Sequence, residues 1–195
     1  MSRPAAPQPA KLVIGFFMPA KDPGERVTTA LVERFGPLDL VSAWFPFDYT
    51  TYYEQEMGSP LFRRMLSFER LIAQDRLAAI KLDTNDLEQK WAREECRRVN
   101  IDPGYLLRER FVLATGKNYT HRIYIGKGIY ADLTLTYTQG HFKTLPWTYP
   151  DYKAANVQTF LMRVRAKYVA ADRHPPWRAL SEPFQSSSET RGIER

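Results

Sequence analysis

The sequence has little cysteine and histidine and no long apolar run. One cysteine among 195 residues, Cys96, excludes an internal disulfide, and three histidines leave few ligands for a zinc site. No apolar run approaches the roughly 18 residues of a membrane span, and the first residues lack the charged and apolar regions of a secretory signal. These absences predict a cytoplasmic protein that contacts no membrane.

The composition is that of a single globular domain rich in aromatic rings. Hydrophobic residues make up 44% of the chain and charged residues 26%, as in ordinary soluble domains, whereas an aromatic share of 13% is high. Residues 1–10 and 178–195 are expected to be a disordered lead and tail, and residues 11–177 one domain. The net charge of +6 favours an anionic partner. A small anion and a nucleic acid are both hypotheses for that partner.

The first half of the chain alternates strand and helix signals. The apolar run KLVIGFFM at residues 11–18 predicts a strand buried on both faces. Asp22 as N-cap, Pro23 at the first helical position and Gly36 at the end predict a helix. Further strands are expected at 38–45, 61–68 and 98–101, and a helix at 85–93, with 71–82 ambiguous between helix and strand.

The second half predicts a helix, a hairpin and a final helix. Asp102 followed by proline and glycine has the pattern of another helix start, with Gly116 as the end. Alternating apolar residues indicate a hairpin of 121–125 and 129–137, and helical spacing continues from 152 to 169. Together these signals predict an α+β fold: a mixed or antiparallel sheet with helices packed on it. A ferredoxin-like core with an added hairpin and a C-terminal helix is one such arrangement.

Five motifs carry a resemblance to a known family. In chain order they are FGPLDL, FPFDYTTYYEQEMG, RRVNIDPGYL, LATGKNYTHRIYIGKGIYADLTLTY and LPWTYPDY. The chain resembles the bacterial domain-of-unknown-function family 4416 over roughly residues 12–167. The resemblance implies no defined activity, although members are sometimes described as GTP-binding.

A phosphate-binding loop of the Walker A type is absent. That loop needs a glycine five residues before its Gly-Lys and a Ser or Thr after it, so that backbone N–H groups wrap the phosphates. Neither Gly116-Lys117 nor Gly126-Lys127 has either residue. Any nucleotide would therefore bind by another geometry.

A group of cations is a candidate anion site. Lys117, His121, Arg122 and Lys127 are close along the chain, and on one side they would form an electropositive pocket with His121 as acid or base. A structural alternative is that Lys117 compensates a helix end and Lys127 occupies a hairpin tip.

Carboxylates in an aromatic loop are a second candidate. Asp48 and Glu54 flank Tyr53 in an irregular loop, which suits recognition of a polar ring and acid-base chemistry. The alternative is a loop held by aromatic packing. Asn100, Asp102 and Tyr130 join the predicted ligand-binding residues, although capping also accounts for Asp102. A Mg²⁺ ion bound by Asp48, Glu54 and Asp102 stays open as a cofactor.

The combined hypothesis is a domain that binds, and in one variant turns over, a small anionic or nucleotide-like ligand. His121, Asp48 and Glu54 would be its catalytic groups. One alternative is an RNA-contacting module that stacks bases on Tyr124 and Tyr130, and another is a protein–protein interaction domain. The segment 147–152 is either an aromatic lid or a loop in which Asp151 caps the last helix.

Overall fold

A computed structural model describes residues 3–94 and 96–172. Within these residues the strands are β1 Ala10–Met18, β2 Leu38–Val41, β3 Phe45–Pro46, β4 Phe62–Ile72, β5 Asn100–Leu106, β6 Arg110–Thr115, β7 Arg122–Tyr124, β8 Tyr130–Thr138 and β9 His141–Thr144. The helices are α1 Gly24–Phe35, α2 Glu54–Met57, α3 Leu77–Trp91, α4 Pro150–Lys153 and α5 Ala155–Asp172, with a 3-10 turn at Gln74–Arg76. The tail predicted at 178–195 lies outside the described residues. None of the described helices has the length and apolar character that a bilayer crossing requires.

The sheet confirms the α+β class. Its first four strands run β2-β4-β1-β5, every pair antiparallel, with α1 following β1 and α3 preceding β5. This is the strand order of a ferredoxin-like core. Strands β6, β8 and β7 extend the sheet beyond β5, and β9 pairs with β8. The expected hairpin and C-terminal helix are therefore both present, as β7–β8 and α5.

The two faces of β1 contact different layers. Leu12, Ile14 and Phe16 pack with residues of α1 and α3, while Val13 packs with residues of α5 on the other face. All nine residues of β1 are buried, as its continuous apolar run predicts. Ala10, which the sequence placed in the lead, is the first of them.

The helix predicted to start at Asp102 is wrong. Asp102 lies inside β5, and the charged triplet Arg108-Glu109-Arg110, which would suit the flank of a helix, leads into β6 instead. The two strands approach so closely that a Cβ at Gly104 would lie 2.5 Å from the carbonyl oxygen of Val112. Glycine is thus required for strand pairing, and Gly116 follows a strand rather than ending a helix. Tertiary pairing overrides the local cap pattern here.

Three smaller expectations also need correction. The N-cap position of α1 is Pro23 and carries no side-chain capping bond, so Asp22 does not cap that helix. The strand predicted at 38–45 is divided into β2 and β3. A register shift of β8 against β6 moves Leu135 to the α5 side, while Leu133 faces α3, so the predicted single apolar face of β8 is broken.

The sheet splits between β5 and β6. These strands pair only over Gly104–Leu106 and Leu113–Phe111. Before Gly104, β5 pairs with β1 alone, and after Leu113, β6 pairs with β8 alone. Asn100 and Asp102 of β5 therefore pair with β1 on one side but have an opening instead of a strand on the side of β6.

Candidate functional site

A cleft of about 580 Å³ occupies the split in the sheet. Its lining comes from β1, β4 and β8, the 47–53 loop, α3, β5 with the segment before it, and the start of α4, together with the end of β6 and the residues that follow it. The polar and charged lining residues include Arg63, Lys81, Asn85, Glu88, Arg97, Asn100, Asp102, Thr115, Lys117, Asp132 and Asp151, and the rings include Phe17, Phe47, Tyr49, Tyr52, Tyr53, Tyr149 and Tyr152.

Two buried side chains of α3 complete the hydrogen bonding of β5 at the split. Lys81 Nζ donates to the carbonyl oxygen of Ile101 at 2.8 Å, and the N–H of Ile101 donates to Glu88 Oε1 at 2.7 Å. Lys81 and Glu88 lie 3.8 Å apart. Burial raises the pKa of the Glu88 carboxyl, and the positive charge of Lys81 opposes that rise. These side chains replace the backbone partners that β6 would have supplied.

A fully buried arginine forms another wall of the cleft. Arg63 Nη1 donates to Asp151 Oδ2, and its Nη2 donates to the hydroxyl of Tyr152 at 2.7 Å. A Cβ at Gly15 would lie 2.6 Å from Arg63 Nη2, so the guanidinium needs a glycine on the neighbouring strand. Burial raises the pKa of the Asp151 carboxyl and Arg63 opposes this. Asp151 therefore binds Arg63 from within α4. The N-cap position of α4 is Tyr149 and α5 starts only at Ala155, so the prediction that Asp151 caps the last helix is wrong.

Arg97 fixes the amide of Asn100. Its Nε and Nη2 bind both carboxylate oxygens of Glu56 at 2.7 and 2.6 Å, and its Nη1 donates to Asn100 Oδ1 at 2.9 Å. The Arg97 guanidinium lowers the pKa of the Glu56 carboxyl. The bond to Oδ1 fixes the orientation of the buried amide, and its Nδ2 has no hydrogen-bond partner among the described residues. A ligand that offers an acceptor to a buried donor of this kind forms a more stable complex, because the donor is no longer unpaired.

Asp102 is the carboxylate left over after the ion pairs are assigned. The other three carboxylates of the lining, Glu88, Asp132 and Asp151, each bind a cation, whereas Asp102 makes no hydrogen bond or ion pair with a described residue. Burial is the main cause of the raised pKa values of Asp151 and Glu88, and the negative charge of Asp102 raises both pKa values further. Asp102 thus leaves a carboxylate inside the cleft that is open to a hydrogen-bond donor.

The aromatic wall is built on β1. Phe17 stacks on Phe47 with ring centroids 4.1 Å apart and contacts Tyr53 edge-on at 4.7 Å. Tyr52 meets Tyr53 at 4.9 Å and carries the ammonium group of Lys117 over its ring at 4.4 Å. Aromatic packing therefore does hold the 47–53 loop, and the same rings face the cleft. Burial raises the pKa of the Tyr53 hydroxyl, which stays a neutral donor.

A cluster of charged residues around Asp132 positions side chains at the edge, or rim, of the cleft. Asp132, 1% exposed, lies 3.2 Å from His121 Nε2 and accepts a hydrogen bond from Arg122 Nε at 2.9 Å. Arg122 also donates to the backbone carbonyl of Lys117 and to the hydroxyl of Tyr149. His121 and Arg122 do not line the cleft themselves. The hydrogen bonds of Arg122 instead hold Lys117 and Tyr149 at its edge.

Four of the predicted ligand-binding residues share the cleft. Tyr53, Asn100, Asp102 and Lys117 all line it, although they come from separate parts of the chain. Residues 149–152 of the predicted lid segment line it as well, whereas Trp147 and Thr148 do not.

The other predicted residues lie elsewhere. Asp48 and Glu54 are exposed and line a separate cavity of about 390 Å³, so Asp102 does not join them in one Mg²⁺ ligand set. Among the described residues no group of three acidic, histidine or cysteine side chains is arranged to hold a metal. Lys127 is exposed in the turn between β7 and β8, and Tyr130 packs against Tyr124 with ring centroids 5.4 Å apart.

Sequence reasoning missed the charged residues at the base of the cleft. Lys81, Asn85 and Glu88 follow helical spacing and form a polar stripe on α3, which could have been noticed beside the apolar stripe. Arg63 stands at an inward position of β4, where an isolated charge signals a buried partner. The identity of that partner, Asp151, has no local signal because 88 residues separate the two.

Comparison with known proteins gives a family and no described relative. The profile of the family described as Domain of unknown function (DUF4416) matches residues 8–168. This span covers most of the chain, and the chain belongs to that family. Neither the curated proteins nor the solved structures contain a significant match.

Proposed function

For this member of the DUF4416 family, we propose that the cleft binds a small anionic, nucleotide-like molecule. The observation that carries the proposal is the unpaired carboxylate of Asp102 next to the unsatisfied amide of Asn100, both in a cleft walled by tyrosines. A cleft of about 580 Å³ has the size of a small-molecule site rather than of a polymer groove.

The interior of the cleft favours a ligand with both donors and acceptors. Asp102 offers two oxygens to N–H or O–H groups, such as those of a base or a sugar. Asn100 Nδ2 and the equally unsatisfied Arg63 Nε are buried donors that an acceptor on the ligand would satisfy. A purely apolar ligand would leave all three groups unpaired, so it should bind poorly.

The rim favours a ring and a negative charge. Tyr52 and Tyr53 offer faces on which a planar ring can stack. The ammonium group of Lys117 pairs with no described carboxylate and lies next to Tyr52, so it remains available to a phosphate. Should the ligand be turned over, Asp102 is the group placed to accept a proton within the cleft.

The test is a thermal-shift and calorimetric panel. Nucleoside monophosphates and triphosphates, the matching nucleosides and inorganic phosphate are compared with and without Mg²⁺. A nucleotide should raise Tm more than its nucleoside or phosphate alone, because the ring and the phosphate contact different walls. Asp102→Asn and Lys117→Ala should reduce the shift, while Lys143→Ala, an exposed lysine on β9, should leave it unchanged. Equal shifts in all four proteins would refute the site.

The RNA-contacting alternative rests on another surface. Ile123 and Tyr124 on the edge strand β7 are 72% and 59% exposed, and Lys127 lies at the adjacent turn. Retention on heparin or single-stranded RNA against salt, compared between the native chain and Tyr124→Ala/Lys127→Ala, tests it. Strong, salt-sensitive retention that this variant abolishes, with no response in the nucleotide panel, would favour that alternative.

A further inference from the structure

A further cavity, apart from the cleft and from the cavity lined by Asp48 and Glu54, lies where α1 begins and where the segment between α3 and β5 passes it. Its volume is about 340 Å³, and its described lining includes Arg26, Arg93 and Arg98 but no Asp or Glu. The cleft of the proposed function has four cations and four carboxylates in its described lining, so the two sites differ in charge balance. This cavity is strongly cationic.

The three arginines have no anionic partner in the described parts of the chain. All three are exposed, and none makes a side-chain hydrogen bond or an ion pair there. The nearest acid of α1 in sequence, Glu25, binds Arg64 at 3.1 Å instead. Three guanidinium groups around one cavity repel each other, and a bound anion relieves that repulsion.

Regular backbone structure fixes the points from which the arginine side chains leave the chain. Arg93 and Cys96 exchange two backbone hydrogen bonds of 3.0 and 2.9 Å, which close a tight turn just before Arg98. Arg26 lies in the first turn of α1, a helix of 12 residues, where the helix dipole adds positive potential. The cavity therefore presents cations from three separate positions of the backbone.

An apolar wall completes the cavity. Val27 and Val99 are buried and Trp91 is partly buried, and all three line it. Guanidinium groups bind phosphate through two parallel hydrogen bonds, while an indole face binds a flat apolar group. Inorganic phosphate would satisfy the charges but leave this wall in water.

We propose that this cavity binds an organic phosphate in which a dianionic group is attached to a flat apolar moiety. The phosphate lies among Arg26, Arg93 and Arg98, and the apolar moiety contacts Trp91. The proposal does not depend on the cleft, which is lined by other residues.

The experiment follows the indole N–H resonances of the ¹⁵N-labelled full chain with phenyl phosphate as the probe. Trp91→Phe assigns the Trp91 resonance, or sequential assignment does so if that variant fails to fold. Phenyl phosphate should shift the Trp91 resonance in a saturable way, with inorganic phosphate and benzyl alcohol binding more weakly. The resonance of Trp147, which stacks on His121 beside the cleft, should stay unchanged.

Single substitutions at exposed arginines locate the phosphate. Arg26→Gln, Arg93→Gln and Arg98→Gln should each weaken phenyl phosphate binding by about tenfold, the usual effect of losing a charge-assisted hydrogen bond. Arg76→Gln, at an exposed arginine outside both cavities, is the matched control and should bind as the native chain does.

Three results would overturn the proposal. The first is an unshifted Trp91 resonance at millimolar probe, and the second is equal binding of benzyl alcohol and phenyl phosphate. The third is a response to a single-stranded oligonucleotide with none to phenyl phosphate, which would make the arginines a nucleic-acid surface instead.

Discussion

Asp102 lies directly across the β1–β5 ladder from Gly15. The absence of a side chain at Gly15 leaves room for the guanidinium of Arg63, and the carboxylate of Asp102 faces the same cleft. Gly15 on β1 thus makes space for the buried cation of Arg63, while Asp102, its partner on β5, supplies a carboxylate that has no ion-pair partner among the described residues. The relationship explains why the cleft is polar although it lies at the centre of the sheet.

Asp102→Asn should separate binding from stability. The substitution removes a carboxylate that makes no ion pair with a described residue; its charge raises the pKa values of Asp151 and Glu88, although it also attracts the Arg63 guanidinium. We expect the free energy of unfolding in urea to stay constant or rise, while nucleotide affinity falls by about tenfold. Asp75→Asn, at an exposed acid outside the cleft, is the control. A loss of stability beyond about 1 kcal/mol would instead give Asp102 a structural role.

Gly15→Ala should destabilise the fold, whereas Gly116→Ala should not. The added Cβ at Gly15 would lie 2.6 Å from Arg63 Nη2 and 2.8 Å from Met65 Sδ, while that at Gly116 meets no heavy atom within 4 Å. Overpacking of this kind costs about 1–3 kcal/mol, measured as a difference in the free energy of unfolding. Equal effects of the two substitutions would contradict the close packing of Arg63 on β1.

The ion pair of Arg63 with Asp151 should be strongly coupled. Arg63→Met leaves a buried carboxylate without its cation, at a cost of about 3–5 kcal/mol. Arg63→Met/Asp151→Asn removes the unpaired charge and should recover part of that loss. Denaturant unfolding of the four proteins in the double-mutant cycle measures the coupling, and additive effects would show that the pair is not formed.

The buried tyrosines should make the protein sensitive to alkali. Burial raises the pKa of Tyr152, and also that of Tyr53, above the ordinary value of 10.0. Because the folded state then holds these protons more tightly than the unfolded state, stability is complete below pH 10 and falls as the pH rises further.

Absorbance at 295 nm checks this expectation. Tyr152→Phe should remove one late-ionising phenol and make the loss of stability above pH 10 shallower. The chain in concentrated urea is the control, since its phenols should ionise together near their ordinary pKa. A native titration that matches the unfolded one would contradict the burial of these hydroxyls.

Local patterns were sufficient for much of the fold. The apolar run of β1, the alternation around the β7–β8 turn and the helical spacing of α5 each specify an element through neighbours in the chain. The wrong helix at Asp102 shows the limit of such patterns. A proline and glycine after an acid fit a helix start locally, and the pairing of Gly104 with Leu113 that decides otherwise is not visible nearby.

Local sequence features likewise identified some residues of the candidate site correctly and misplaced others. Tyr53, Asn100, Asp102 and Lys117 were identified as polar or aromatic residues in irregular or turn-rich sequence, and the structure brings them to one cleft. Asp48 has the same local features, yet it faces a different cavity. Side-chain direction in an irregular loop depends on packing with distant residues, here Phe47 on Phe17, and sequence spacing does not report it.

The sequence by itself determined the α+β class, the family and most of the element order, because burial patterns and turn residues act between near neighbours. The tertiary structure alone decided that β5 and β6 diverge, that Arg63 meets Asp151 and that Asp102 stays unpaired. Those outcomes depend on which strands lie side by side. Contacts between residues far apart in the chain set that arrangement, and no single segment encodes them.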